Sequence, residues 1–190
     1  MTHFQRTAAH EAGHAVVAHV LGGHLGLVWA LPEYSLHGAC GEASVSHPAP
    51  DKDATICFAG TVAEAFCSGT DYQFYEGEWC LKWSAKTTRR GLKPNRAGLV
   101  RLNTHEPETE AELAAEIRGG RTHDLMSAWR VLRRASGSDR EAVGRFDKAQ
   151  DRAMTLVAEN LATVKALASV LETERVLTAE RVRGFLGKRF

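Results

Sequence analysis

Thr7-Ala8-Ala9-His10-Glu11-Ala12-Gly13-His14-Ala15-Val16-Val17-Ala18-His19-Val20-Leu21 is the stretch from which the rest of the chain can be read. Its apolar residues recur at helical intervals, Thr7 is an expected N-cap, and Gly22-Gly23 offers a stop. Residues four apart on a helix stand one above the other, so the imidazoles of His10 and His14 share a face and can hold one zinc ion together. Glu11 is turned about 100° from His10, beside such an ion rather than on it, where a carboxylate can take a proton from water. Ala15, four residues on, offers Glu11 no cationic partner, and the small Ala12 and Gly13 leave room for a cleft and for tight helix packing.

Two histidines make half a site, because a catalytic zinc takes three protein ligands and leaves the fourth position open. The extended pattern with a glycine and a further histidine after the second ligand fails, since those positions are Val17 and Val20. His19 is out of register. The remaining candidates are the carboxylates of Glu64 and Asp124. Glu64 could instead accept a hydrogen bond from a ligating histidine and orient it, and Asp124 could be a first-turn partner of its helix dipole.

Around this helix the sequence predicts a mainly α fold with a small β-sheet beside the metal-binding helix. Residues 28–45, with Trp29, Leu31, Tyr34 and the alternating Gly41-Glu42-Ala43-Ser44-Val45, read as short strands punctuated by Pro32 and Gly38. Asp51 to Cys67 has an acidic start, an apolar spine through Ile56, Val62 and Phe66, and Gly69 as its stop, which is a second helix. Further helices are expected from about Thr122 to Ser136, from a Ser138/Glu141 capping pair to about Glu159, from Leu161 to Leu171, and from Thr178 to Leu186. Residues 70–118 are different: aromatic, then basic through Lys82 to Arg101, then acidic from Glu106 to Glu116. They are expected to be an insertion, a lid or a partner-docking element, in a single domain spanning 1–190.

Composition narrows the function classes. With 24 basic and 23 acidic side chains among 190 residues, the net charge of +1 provides no global field to hold the protein on nucleic acid or on an anionic membrane. The run Lys82 to Arg101 with Trp79 and Trp83 reads as a solvated face balanced by the acidic stretch that follows it. No apolar run reaches the roughly 18 residues of a membrane span, and the polar start is unlike a secretory signal, so a soluble, cytoplasmic protein is expected. Cys40, Cys57, Cys67 and Cys80 lack Cys-x-x-Cys spacing and read as reduced thiols.

Several blocks, in order, resemble the peptidase domain of the FtsH-type ATP-dependent zinc metalloproteases. The segment Thr7 to Ala15 resembles that family's metal-binding helix with its His-Glu-x-x-His motif, and Ala59-Gly60-Thr61-Val62-Ala63-Glu64 is similar to its Gly-Gly-Arg-x-Ala-Glu segment. Gly120-Arg121-Thr122-His123-Asp124 is similar to its Gly-Ala-Ser-Asn-Asp segment, and the C-terminal residues from Asn160 to Leu186 fit its closing helices. The resemblance implies that His10, His14 and Asp124 bind Zn2+, that Glu11 activates water, and that Gly41, Glu42, Ala43, Ser44 and Val45 form a strand that pairs with an extended substrate.

It further implies a zinc metalloendopeptidase, a hydrolase acting on unfolded polypeptide or peptide. Ala59 and Thr61 depart from the family's Gly and Arg. His123 stands in place of its Asn, as a rival ligand or an orienting group. There is no Gly-x-x-x-x-Gly-Lys-Ser/Thr phosphate loop, so an ATPase or adaptor would act in trans. The competing expectation is a catalytically silent peptidase-like scaffold that binds a protein partner through 70–118.

Overall fold

A computed structural model describes residues 1–35, 38–72 and 123–187, apart from the side chains of 33–35, 38–40 and 123. The expected insertion lies outside the described residues from 73 onward. The described residues contain helices α1 (His3–Val20), α2 (Pro50–Ser68), α3 (His123–Ala135), α4 (Asp139–Glu159), α5 (Leu161–Glu174) and α6 (Ala179–Leu186), with strands β1 (His24–Ser35), β2 (Gly38–Ser46) and β3 (Val176–Leu177). The protein is mainly helical with one small antiparallel sheet, as its periodicities predict. No single described helix is long and apolar enough to cross a membrane.

The chain forms two compact units, one of Met1–Phe74 with Ala149–Phe190 and the other of Tyr75–Lys148. In the first unit α1 is the central element. Eight of its apolar side chains and backbone positions from Ala8 to Ala18 are buried, together with Glu11 and His14, and it packs against α2, α5, β1 and β2. A helix this apolar on all sides belongs inside a fold. Its start differs from the expectation. Thr2, not Thr7, is the N-cap, in a capping box with Gln5, and Thr7 sits a turn further on with its hydroxyl donating to the His3 carbonyl at 3.2 Å. Both threonines are competent caps, but only Thr2 has a Gln three residues on to complete the reciprocal pair.

The contact between α1 and α2 is made close by small residues. At Gly13 a methyl group would lie 2.5 Å from both the Ala59 carbonyl oxygen and the Ala63 Cβ. α2 begins with Pro50 in its first turn and Asp51 and Asp53 near its positive end, and it stops at Gly69 in the left-handed conformation, φ 68°. α5 buries Val164, Leu167, Ala168 and Leu171. Each such leucine contributes about 1.5–3 kcal/mol relative to exposure.

The sheet order is β2-β1-β3. Ala30 pairs with Gly41, Trp29 with Glu42 and Val28 with Ala43, while Val28 and Trp29 also face Leu177 and Val176. Leu25, Val28, Ala30 and Leu177 are buried. The short β3 follows Arg175, whose carbonyl accepts from the Ala30 N–H at 2.9 Å and whose guanidinium stacks 4.2 Å above the Phe4 ring. α5, α1 and the sheet are thereby tied together at one residue. Cys67 of α2 is a free thiol.

In the second unit α3 buries Leu125, Met126, Ala128, Trp129 and Leu132, and Trp129 meets Phe146 of α4 edge to face, 5.9 Å between ring centres. The expected cap of α4 is present in altered form. The Ser138 hydroxyl accepts from the Glu141 N–H at 3.2 Å, while the Glu141 carboxylate reaches the Gly137 N–H at 2.9 Å, one residue earlier than in a full capping box.

Candidate metal centre

α1 and α2 meet along two matched rows of residues, each spaced by four. His14 and His10 lie on one helix; Ile56, Gly60 and Glu64 lie on the other. His14 is 5% exposed, and its Nδ1 donates to the Ile56 carbonyl at 2.7 Å. That hydrogen bond fixes the tautomer and leaves Nε2 with its lone pair outward. The Glu64 carboxylate lies 3.7 Å from His10 Nδ1. Glu64 therefore faces the edge of the His10 ring that does not carry Nε2, which is the place of an orienting acceptor.

With both Nδ1 atoms turned toward α2, the Nε2 atoms of His10 and His14 converge to 3.1 Å. The rings stand edge to face, with centroids 4.7 Å apart and planes at 77°. Two nitrogens bound at about 2.0–2.1 Å to one tetrahedral zinc stand about 3.4 Å apart, so this pair matches the ion's requirement to within a few tenths of an ångström.

Gly60 explains why the rings can stand this way. A methyl group at Gly60 would come within 2.3 Å of His14 Nε2 and 2.6 Å of His10 Nε2. The missing side chain is the space the two Nε2 atoms need. In the sequence Gly60 stood out only as part of the segment Ala59 to Glu64, and the Ile56 carbonyl carried no sequence signal because any residue supplies one.

Glu11 is buried, 6% exposed, one residue along from His10. β2 runs over this turn of α1: a methyl at Gly41 would stand 2.8 Å from Glu11 Cγ and 2.9 Å from Thr7 Cγ2. Along Gly41 to Val45 the residues alternate, with Gly41, Ala43 and Val45 half-buried and Glu42 and Ser44 exposed, and the register with β1 shifts between the Val28–Ala43 and Leu25–Val45 pairs. Among the described residues β2 has β1 as its only strand neighbour. The first unit thus brings together His10, Glu11, His14, Glu64 and the Gly41 strand. Asp124, partly buried, occupies the first turn of α3 in the second unit. The side chain of His123 lies outside the described residues.

No family model and no curated protein sequence matches this chain. The chemistry is read from the side chains themselves.

Proposed function

We propose that this protein is a zinc-dependent metallopeptidase that hydrolyses peptide bonds in unfolded polypeptide. The observation that carries the proposal is the convergence of His10 Nε2 and His14 Nε2 to 3.1 Å, with each Nδ1 turned toward an acceptor on α2. His14, whose Nδ1 proton is engaged by the Ile56 carbonyl, turns the lone pair of Nε2 toward His10 Nε2, where the two nitrogens can share one ion. Asp124 is assigned as the third ligand, on its likeness to the corresponding acid of the FtsH-type proteases. Two imidazoles and one carboxylate are a donor set that suits zinc.

Zinc held there would lower the pKa of water toward about 7 and polarise the scissile carbonyl. Glu11 takes the proton from the attacking water as the new C–O bond forms, and delivers it to the amine nitrogen as the C–N bond breaks. β2 supports an extended substrate by strand addition, which reads backbone and gives broad sequence preference. The 190 residues carry no phosphate-loop motif, so peptide-bond hydrolysis is assigned to them and the unfolding of stable substrates is left to an ATPase or adaptor.

The test is elemental analysis together with casein cleavage, for the native chain and for Glu11→Gln. One zinc per chain in both, with cleavage reduced at least about 10²–10⁴-fold in the variant, is expected. Failure of the native chain to hold zinc after reconstitution would sink the proposal, and zinc without cleavage in either chain would favour a scaffold or a partner-dependent enzyme.

A further inference from the structure

Glu11 and Thr7 stand one turn apart on α1, and the strand β2 crosses them at Gly41, where it pairs with Ala30 of β1. At this crossing a side chain has no room: a methyl would stand 2.8 Å from Glu11 Cγ, 2.8 Å from the Trp29 carbonyl oxygen and 2.9 Å from Thr7 Cγ2. The bare backbone of β2 is therefore the wall against which the Glu11 methylene rests. Cγ is placed by the first side-chain torsion, so contact there limits that torsion and fixes the point from which the remaining two aim the carboxylate.

A general base must lie within hydrogen-bond reach of the proton it takes, and a displacement of about 1 Å costs on the order of 10²-fold in rate. The two histidines are secured differently, by Ile56 and Glu64 of α2. Disturbing Gly41 should move the base and leave the metal ligands in place. We propose, resting on the metallopeptidase assignment, that Gly41 is a positioning residue for Glu11, setting the reach of the base through direct contact with its Cγ.

The test compares the native chain, Gly41→Ala, Glu11→Ala and the double variant, by zinc content, casein kinetics and thermal unfolding of the zinc-free protein. Gly41→Ala is expected to keep its zinc and lose roughly 10–100-fold in kcat with KM nearly unchanged. It should not lower the residual rate of Glu11→Ala any further. In the zinc-free protein Gly41→Ala should lower Tm, and Glu11→Ala in the same chain should restore part of the loss, because deleting Cγ removes the collision.

An unchanged kcat, an equal fall in the Glu11→Ala background, or additive Tm shifts would overturn the proposal. If Gly41→Ala fails to fold and the double variant folds, the proposal is supported. If neither folds, it is overturned, because Thr7 and the Trp29 carbonyl then dictate the glycine. A native chain with neither zinc nor cleavage defeats the peptidase assignment, while the Tm comparison still reads the contact between Gly41 and Glu11.

Discussion

Gly60 and His14 are matched so closely that a single methyl group at position 60 would fall 2.3 Å from His14 Nε2. The same methyl would fall 2.6 Å from His10 Nε2, so one α-carbon on α2 sets the space for both imidazoles on α1. Helix pairing and the approach of the two imidazoles are thereby the same geometric property.

Gly60→Ala is expected to drive both rings from their positions and abolish stoichiometric zinc binding, at an overpacking cost of about 1–3 kcal/mol. Elemental analysis with far-UV circular dichroism checks this. A folded Gly60→Ala chain with a full zinc complement would contradict it.

Glu64 and Asp124 should respond differently to substitution. Glu64→Gln removes the carboxylate charge that lies 3.7 Å from His10 Nδ1 and should weaken zinc binding about 10–100-fold. Asp124→Ala removes a proposed ligand and should lose the ion at any practical concentration. Competition with a chelator of known affinity separates the two, and a larger loss for Glu64→Gln would exchange their roles.

Gly13 packs on Ala59 and Ala63 away from the ligating atoms. Gly13→Ala should reduce stability by about 1–3 kcal/mol through overpacking, while the surviving folded protein keeps its zinc. The midpoint of urea unfolding reads the first part, and elemental analysis the second.

Leu171 is fully buried on α5, the helix that covers α1. Leu171→Ala should cost about 2–5 kcal/mol, depending on how far the site collapses. A loss under half a kilocalorie in equilibrium unfolding would show that α5 contributes little to the first unit.

Burial pushes the Cys67 thiol above its usual range, with Lys165 pulling less strongly the other way. The thiolate is the reactive form, so Cys67 should alkylate more slowly than free cysteine at pH 8. Peptide mapping after timed iodoacetamide treatment measures it, and a rate equal to the free amino acid would be the contrary result.

The helices were legible because their signals are local: Gly69 after α2, Thr178 before α6, and the four-residue spacing of His10 and His14 all act within a turn or two. What escaped were relations between distant segments. β3 has two residues and exists through its pairing with Val28 and Trp29, which no pattern in Val176-Leu177 announces. The true start of α1 turned on a choice between two good caps. At the site, the two histidines and Glu11 were readable from spacing, whereas Gly60, Gly41 and the Ile56 carbonyl matter by what they stand against. The choice between ligand and orienting acceptor for Glu64 likewise depended on which ring nitrogen it faces.

The acceptor that orients His14 is a main-chain oxygen, and this has a consequence for how the protein can change. Any residue at position 56 presents the same carbonyl, so the lone-pair direction of His14 survives every substitution there that spares the helix. The orientation of His10 depends on a carboxylate that one codon change can remove. Under mutational drift the two imidazoles are unequally exposed: the backbone keeps the partner of His14, whereas the Glu64 carboxylate beside His10 can be lost.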